Sequence, residues 1–268
     1  MATLKIRTIL ATLGSLALLQ GAPAMAAMQT FDFDSGSQSF SGNGNGNTLT
    51  MSSGGVGLTV RAYSDTGDVS GDDIVEAARL LWAQSSALGI QNDDENTSSP
   101  NHSIDSVSGD SDGEFDMLLL EFDTEVNLEG IDLSWATDGG GNYADVSILA
   151  YDGTGGFSPL GGTWADVLSS NGGNYNSVGN YNNVGLSYYA VNGADVTSTA
   201  WLVGVYNPVF GSGSGLDSGD DGMKLSLIKT STPDDQPPGE VPVPGSLPLM
   251  LLGLVLLRGR FAALRAAA

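Results

Sequence analysis

Between Phe31 and Lys229 no stretch of the chain runs far before it meets a cluster of Gly, Asn, Asp or Ser. This punctuation limits the fold more than any other feature. With 38 glycines in 268 residues, there is little room for the three or four uninterrupted turns of an ordinary helix. What remains between the breaks are short apolar or alternating runs: Thr48–Met51, Gly57–Tyr63, Arg79–Ser85, Phe115–Phe122, Val126–Trp135, Ala144–Tyr151, Gly185–Val191, Ala200–Tyr206 and Met223–Lys229. Ile131, Leu133 and Trp135 alternate with Asp132 and Ser134, the period of a half-buried strand. Val126 and Leu128 have the opposite parity, so a bulge at Gly130 is expected to switch the face. Phe115–Leu120 is almost continuously apolar and belongs at the centre of a sheet. Met223, Leu225 and Leu227 form the inward face of a closing strand. About nine or ten strands over roughly 200 residues make the expected fold all-β, a single β-sandwich of jelly-roll-like type. Ile74–Leu81 has helical spacing and stays open between short helix and strand. Gly42–Asn47 and Asn171–Asn183 read as loops.

Charge and cysteine content narrow the function classes. The chain has no Cys and a single His, which removes disulfides, thiol nucleophiles, Cys-based zinc sites and multi-His metal centres. The basic residues are concentrated at the ends: Lys5 and Arg7, then Arg258, Arg260 and Arg265. Between them, four basic residues stand against all 31 acidic ones, a net charge of −27. Such a surface repels phosphate backbones, so nucleic acid is excluded as a partner.

The ends differ in kind from the middle. Residues 1–26 have a cationic start, an apolar run from Ile9 to Leu19 and Ala24-Met25-Ala26, the parts of a secretory signal peptide cut after Ala26. Residues 27–232 form the acidic β domain, and residues 233–240 a Pro-rich linker. Residues 241–268 then run Val241-Pro242-Val243-Pro244-Gly245-Ser246, a Leu-rich segment, and Arg258-Gly259-Arg260. A transmembrane segment is expected at about 245–257. Eleven apolar residues of helix, Leu247–Leu257, cover only about 16 Å of a core roughly 30 Å thick. Counting from Pro244 to Leu264 reaches about 31 Å, with the two arginines snorkelling. The arginines place that end in the cytoplasm and the acidic domain outside.

This tail resembles the PEP-CTERM sorting signal, which is read by exosortases, membrane proteases or transpeptidases of Gram-negative bacteria. Val241, Pro242, Val243, Pro244, Gly245, Arg258 and Arg260 carry the match. Val243 stands where the commonest form has Glu, and Phe261–Leu264 dilute the basic cluster. The resemblance extends inward to a family of exosortase-dependent surface proteins, through Trp82, Leu88-Gly89-Ile90, His102-Ser103-Ile104-Asp105, Phe115–Phe122, Val126 and Leu128. It implies export across the inner membrane, display at the cell surface or in the matrix, a transient or permanent membrane anchor, and an exosortase as partner. It also implies association with extracellular polysaccharide or a biofilm matrix, where a structural or adhesive role is the expected one.

Candidate sites lie in the polar loops. Asp93, Asp94, Asp105, Asp110, Asp112 and Glu114 supply hard oxygen donors on irregular backbone, the ligands Ca²⁺ takes; a solvated acidic loop is the alternative. The run from Asp110 is not an EF-hand, because Phe115 stands where the required Gly belongs. Asp217, Asp220 and Asp221 form a second acidic cluster with the same two readings. Trp164, Tyr175 and Tyr181 are the aromatic candidates for a glycan surface. No carboxylate pair is singled out by spacing for glycoside hydrolysis. His102 has no Gly-x-Ser-x-Gly elbow between a strand and a helix to serve. The chain is therefore read as a non-enzyme with no catalytic residues. A calcium-dependent carbohydrate-binding module is the alternative, and a secreted hydrolase ranks behind it.

Overall fold

The computed structural model describes residues 28–34, 39–41, 46–66, 74–82, 87–92, 103–106, 114–153, 158–169 and 175–233. The proposed signal peptide and sorting tail lie outside these residues. Among the described residues, no helix is long and apolar enough to cross a membrane. All of them fall within one compact unit, Ala26–Asp235, and that unit is all-β.

Its strands are β1 (Met28–Asp32), β2 (Ser39–Ser41), β3 (Thr48–Ser53), β4 (Val56–Thr66), β5 (Ile74–Ala77), β6 (Arg79–Trp82), β7 (Leu88–Gln91) and β8 (Ile104–Asp105). They continue with β9 (Asp116–Asp138), β10 (Tyr143–Tyr151), β11 (Tyr175–Gly185), β12 (Tyr189–Ala190), β13 (Thr197–Val205) and β14 (Asp221–Ser231). One short helix, α1 (Trp164–Val167), lies between β10 and β11.

The 23-residue β9 organises the rest. Its first part, Asp116–Phe122, lies antiparallel between β4 and β13. β13 leads on to β10 and then β11, and β4 to β3 and β5. Its second part, Asn127–Asp138, pairs with β14, which also holds β1, β7 and β8. Between the two parts Asp123, Thr124 and Glu125 are exposed; pairing with β4 ends at Phe122, β13 follows on to Asn127, and β14 pairs from there. Leu118 and Leu120, with Trp201 and Val203 beside them, share one buried cluster with Ile131, Leu133, Met223, Leu225 and Ile228. Met117 and Leu119 belong to a second cluster with Tyr63, Leu149, Leu202, Trp164 and Phe210. Apolar packing on both faces is why Met117–Leu120 is continuously apolar rather than alternating.

Bulges decide which residues face inward. The β9–β14 register breaks between Lys229 and Thr230, opposite Gly130 and Leu128. Glu129 is therefore the additional residue, and Val126, Leu128, Ile131 and Leu133 all reach the same core, as the change of parity at Gly130 requires. Two further breaks flank Leu225. One leaves Ser134 additional, which turns Trp135 outward beneath Lys224 Nζ, 5.5 Å from the ring centroid. The other leaves Ser226 additional, so that Ile228, fully buried, replaces the expected Leu227 as the inward residue.

Ile74–Leu81 is strand, not helix: β5 pairs with β4, and β6 with β7. Part of the expected Asn-rich loop is strand as well. β11 follows β10 through a ladder from Tyr143↔Gly185 to Tyr151↔Tyr175. Its centre is half-buried and edge-like, so it carries none of the apolar alternation by which a strand is recognised. The short strands β1, β2, β7 and β8 complete the sheet beyond the nine expected runs.

Candidate functional site

Where β9 ends and β14 begins, Asp138 faces Asp221 across the ladder. Asp145, near the start of β10, is tied to the same place, since its backbone N–H donates to Asp221 Oδ1 at 2.7 Å. The Asp145 carboxylate accepts from the Asn183 N–H (2.8 Å) and from the Asp217 N–H (3.2 Å). It thereby fixes both the end of β11 and the loop before β14. Five carboxylates converge as a result. Oxygens of Asp138, Asp145 and Asp221 lie within 4.8 Å of one another, as do those of Asp138, Asp217 and Asp220. Asp138 belongs to both groups.

Burial sets the electrostatics. Asp145 and Asp221 are fully buried. Desolvation pushes the Asp221 carboxyl up to about 8; the neighbouring Asp145, Asp138 and Asp220 add to the rise and the Asp145 N–H opposes it. Asp145 is raised by burial too, against the two backbone donors that hold it. Asp138 is raised by desolvation and by Asp217, Asp220 and Asp145. At about 4.8 Å two ionised carboxylates repel by roughly 3–4 kcal/mol even at an effective dielectric constant of 20. Every charged group that shifts Asp221 is another carboxylate.

A pH dependence follows for chelator-treated protein. Because the folded value of Asp221 lies above its unfolded one, the folded state binds more protons between about pH 4 and 8. The stability this group contributes is complete below about pH 4 and is lost as pH rises through about 8. Thermal melts from pH 5 to 8.5 should show Tm falling with pH, and Asp221→Asn should flatten the slope. An unchanged slope in that variant would contradict the assignment.

Of the six residues expected to bind metal, the structure describes Asp105 and Glu114. Asp93, Asp94, Asp110 and Asp112 lie outside the described residues, as does His102. Asp105 is buried and accepts from the Ser103 hydroxyl at 2.7 Å, while its N–H donates to Asp116 Oδ2. Glu114 accepts from Asn92 Nδ2 at 3.0 Å. Neither joins the two carboxylate groups around Asp138. Of the second expected cluster, Asp217, Asp220 and Asp221 are all present in those groups. Asp138 and Asp145 were missed, although Asp145 left a signal as the lone charge in the apolar run Ala144–Tyr151.

Two of the three aromatic candidates belong to the core. Trp164, the first residue of α1, is fully buried and packs edge-on to Phe210 at 6.0 Å. A capping box between Thr163 and Asp166 starts the helix. Tyr175 is buried against Tyr151 at 5.2 Å. Neither offers a ring face to a sugar. Tyr181 is half-buried, packs edge-on to Tyr189, and accepts from the Asn192 N–H at 2.7 Å.

Compared with family models, curated proteins and solved structures, the chain matches none.

Proposed function

We propose that this chain is an exported, non-catalytic surface or matrix protein, its β-sandwich domain carried outside by the N-terminal signal and sorted by an exosortase-type enzyme through residues 241–268. Its role in this reading is structural or adhesive, within extracellular polysaccharide. The observation that carries the reading is a coincidence of boundaries. The compact unit spans Ala26–Asp235, and the two segments that read as addresses stop at Ala26 and begin after the linker. β1 starts at Met28 and β14 ends at Ser231, so removal of both ends would leave every described strand intact. A strongly acidic, Cys-free domain suits a hydrated matrix, where net charge keeps chains soluble and apart. The calcium-dependent carbohydrate-binding alternative loses Trp164 and Tyr175 as stacking platforms, because both are core residues.

Intact mass and terminal peptides of the protein recovered from its native cells test this. The expected product begins at Ala27 and ends between Pro242 and Ser246. A chain that still ends at Ala268 would overturn sorting by cleavage.

A further inference from the structure

Among the five carboxylates, Asp138 included, Asp221 stands apart. It is fully buried, its Oδ1 is taken by the Asp145 N–H, and its Oδ2 is buried with no hydrogen-bond partner. A buried carboxylate oxygen without a donor is costly, and other carboxylates cannot relieve it. Its nearest charged neighbours are Asp145 and Asp138, within coordinating reach. A cation would satisfy the orphaned oxygen and cancel the repulsion together.

We propose that Asp138, Asp145, Asp217, Asp220 and Asp221 form a calcium site that fastens the ends of β9, β10 and β14 to the loop before β14. This inference does not depend on the export reading. Calcium takes six to eight oxygens in flexible geometry, whereas magnesium demands a near-ideal octahedron and sheds water reluctantly. Here the donors come from three strand ends and a loop, and Asp138 is common to both groups, an irregular and carboxylate-rich set. The buried pair is prearranged: the Asn183 and Asp217 N–H groups hold Asp145, and the Asp145 N–H holds Asp221. Asp217 and Asp220 approach from the solvent side, since Asp217 is exposed and Asp220 half-buried. Other hydrogen bonds already join this loop to its neighbours, the Tyr206 hydroxyl donating to the Gly211 carbonyl at 3.0 Å among them. Asn180 Nδ2 donates to the Gly211 carbonyl at 3.1 Å, Asn182 Nδ2 donates to that of Gly215, and the Gly219 N–H donates to Ser106 Oγ. Calcium would add carboxylate ligands to the hydrogen bonds that already tie the loop to the sheet's end.

The test uses the full chain, stripped with chelator and titrated with CaCl₂ by calorimetry and thermal melting. Saturable binding is expected, with Tm raised by roughly 5–10 °C at a hundredfold excess over Kd. Asp221→Asn and Asp138→Asn should each weaken binding at least about tenfold, and Asp123→Asn, an exposed acid on β9, should leave it unchanged. Without calcium, Asp221→Asn should melt at or near the wild-type temperature, because its amide oxygen can still accept from the Asp145 N–H. If that variant does not fold, Asp138→Asn and Asp220→Asn carry the comparison. Absence of saturable binding at millimolar calcium would overturn the proposal. So would equal affinities in Asp138→Asn and Asp123→Asn, the mark of diffuse binding to an acidic surface. Magnesium binding as tight as calcium would overturn the choice of ion.

Discussion

Phe31→Ala is expected to cost about 3–5 kcal/mol of unfolding free energy, a large share of the roughly 5–15 kcal/mol that holds a domain folded. Phe31 lies in β1, is fully buried, and meets Phe122 edge-on with ring centroids 5.6 Å apart. That contact adds roughly 0.5–1.5 kcal/mol to the burial of the ring. β1 is only five residues long and, among the described residues, pairs with β14 alone, so no second described ladder holds it once its anchor is gone. Phe33, also fully buried, follows directly, and its N–H donates to the Ser226 carbonyl at 2.8 Å. The double variant Phe31→Ala/Phe33→Ala should leave little or no cooperative transition in urea or on heating. A native-like melt of the double variant would mean that β1 is an ornament on a core that closes without it.

Gly204→Ala is expected to exceed the usual 1–3 kcal/mol cost of overpacking. Gly204 sits in β13 opposite Met117 of β9. A Cβ there would overlap the Asp116 carbonyl oxygen and the Met117 sulfur, and would come within 3.0 Å of the Met117 Cα. Two of these three atoms are backbone at the centre of the sheet, where no rotamer change relieves the clash. Gly185→Ala is the control: nothing lies within 4 Å of a Cβ at that position, and its effect should stay within about 1 kcal/mol. Denaturant titrations of the two variants settle the comparison. Equal stabilities would mean that β9 and β13 can part locally at no cost.

Periodicity carried the all-β class, the central position of Phe115–Leu120 and the face change at Gly130, because each depends on neighbouring residues. Parity beyond a bulge was not legible. Trp135 turns outward and Ile228 inward because Ser134 and Ser226 are additional residues, and both follow from how β14 lies on β9. Trp164 looked like a loop aromatic because Gly161 and Gly162 precede it. The capping box was there in Thr163 and Asp166, but one turn of helix gives no amphipathic pattern to read. The carboxylate site was half visible for a related reason. Asp217, Asp220 and Asp221 are neighbours in sequence, whereas Asp145 reaches Asp221 across 76 positions. A ladder brings them together, and a single sequence records the residues without the register.

β1 and β14 are the first and last described strands of the domain, and they are partners: Met28 lies opposite Ser231, and the Thr230 hydroxyl meets Gln29 Oε1 across 201 positions. The sheet therefore cannot close until nearly the whole domain is available to it. Contacts of such sequence separation make folding slow, since the loop entropy is lost before the ladder forms. A ribosome or a translocation pore that still holds residue 231 holds an open sheet with an unpaired edge, and the final strand is also the latch.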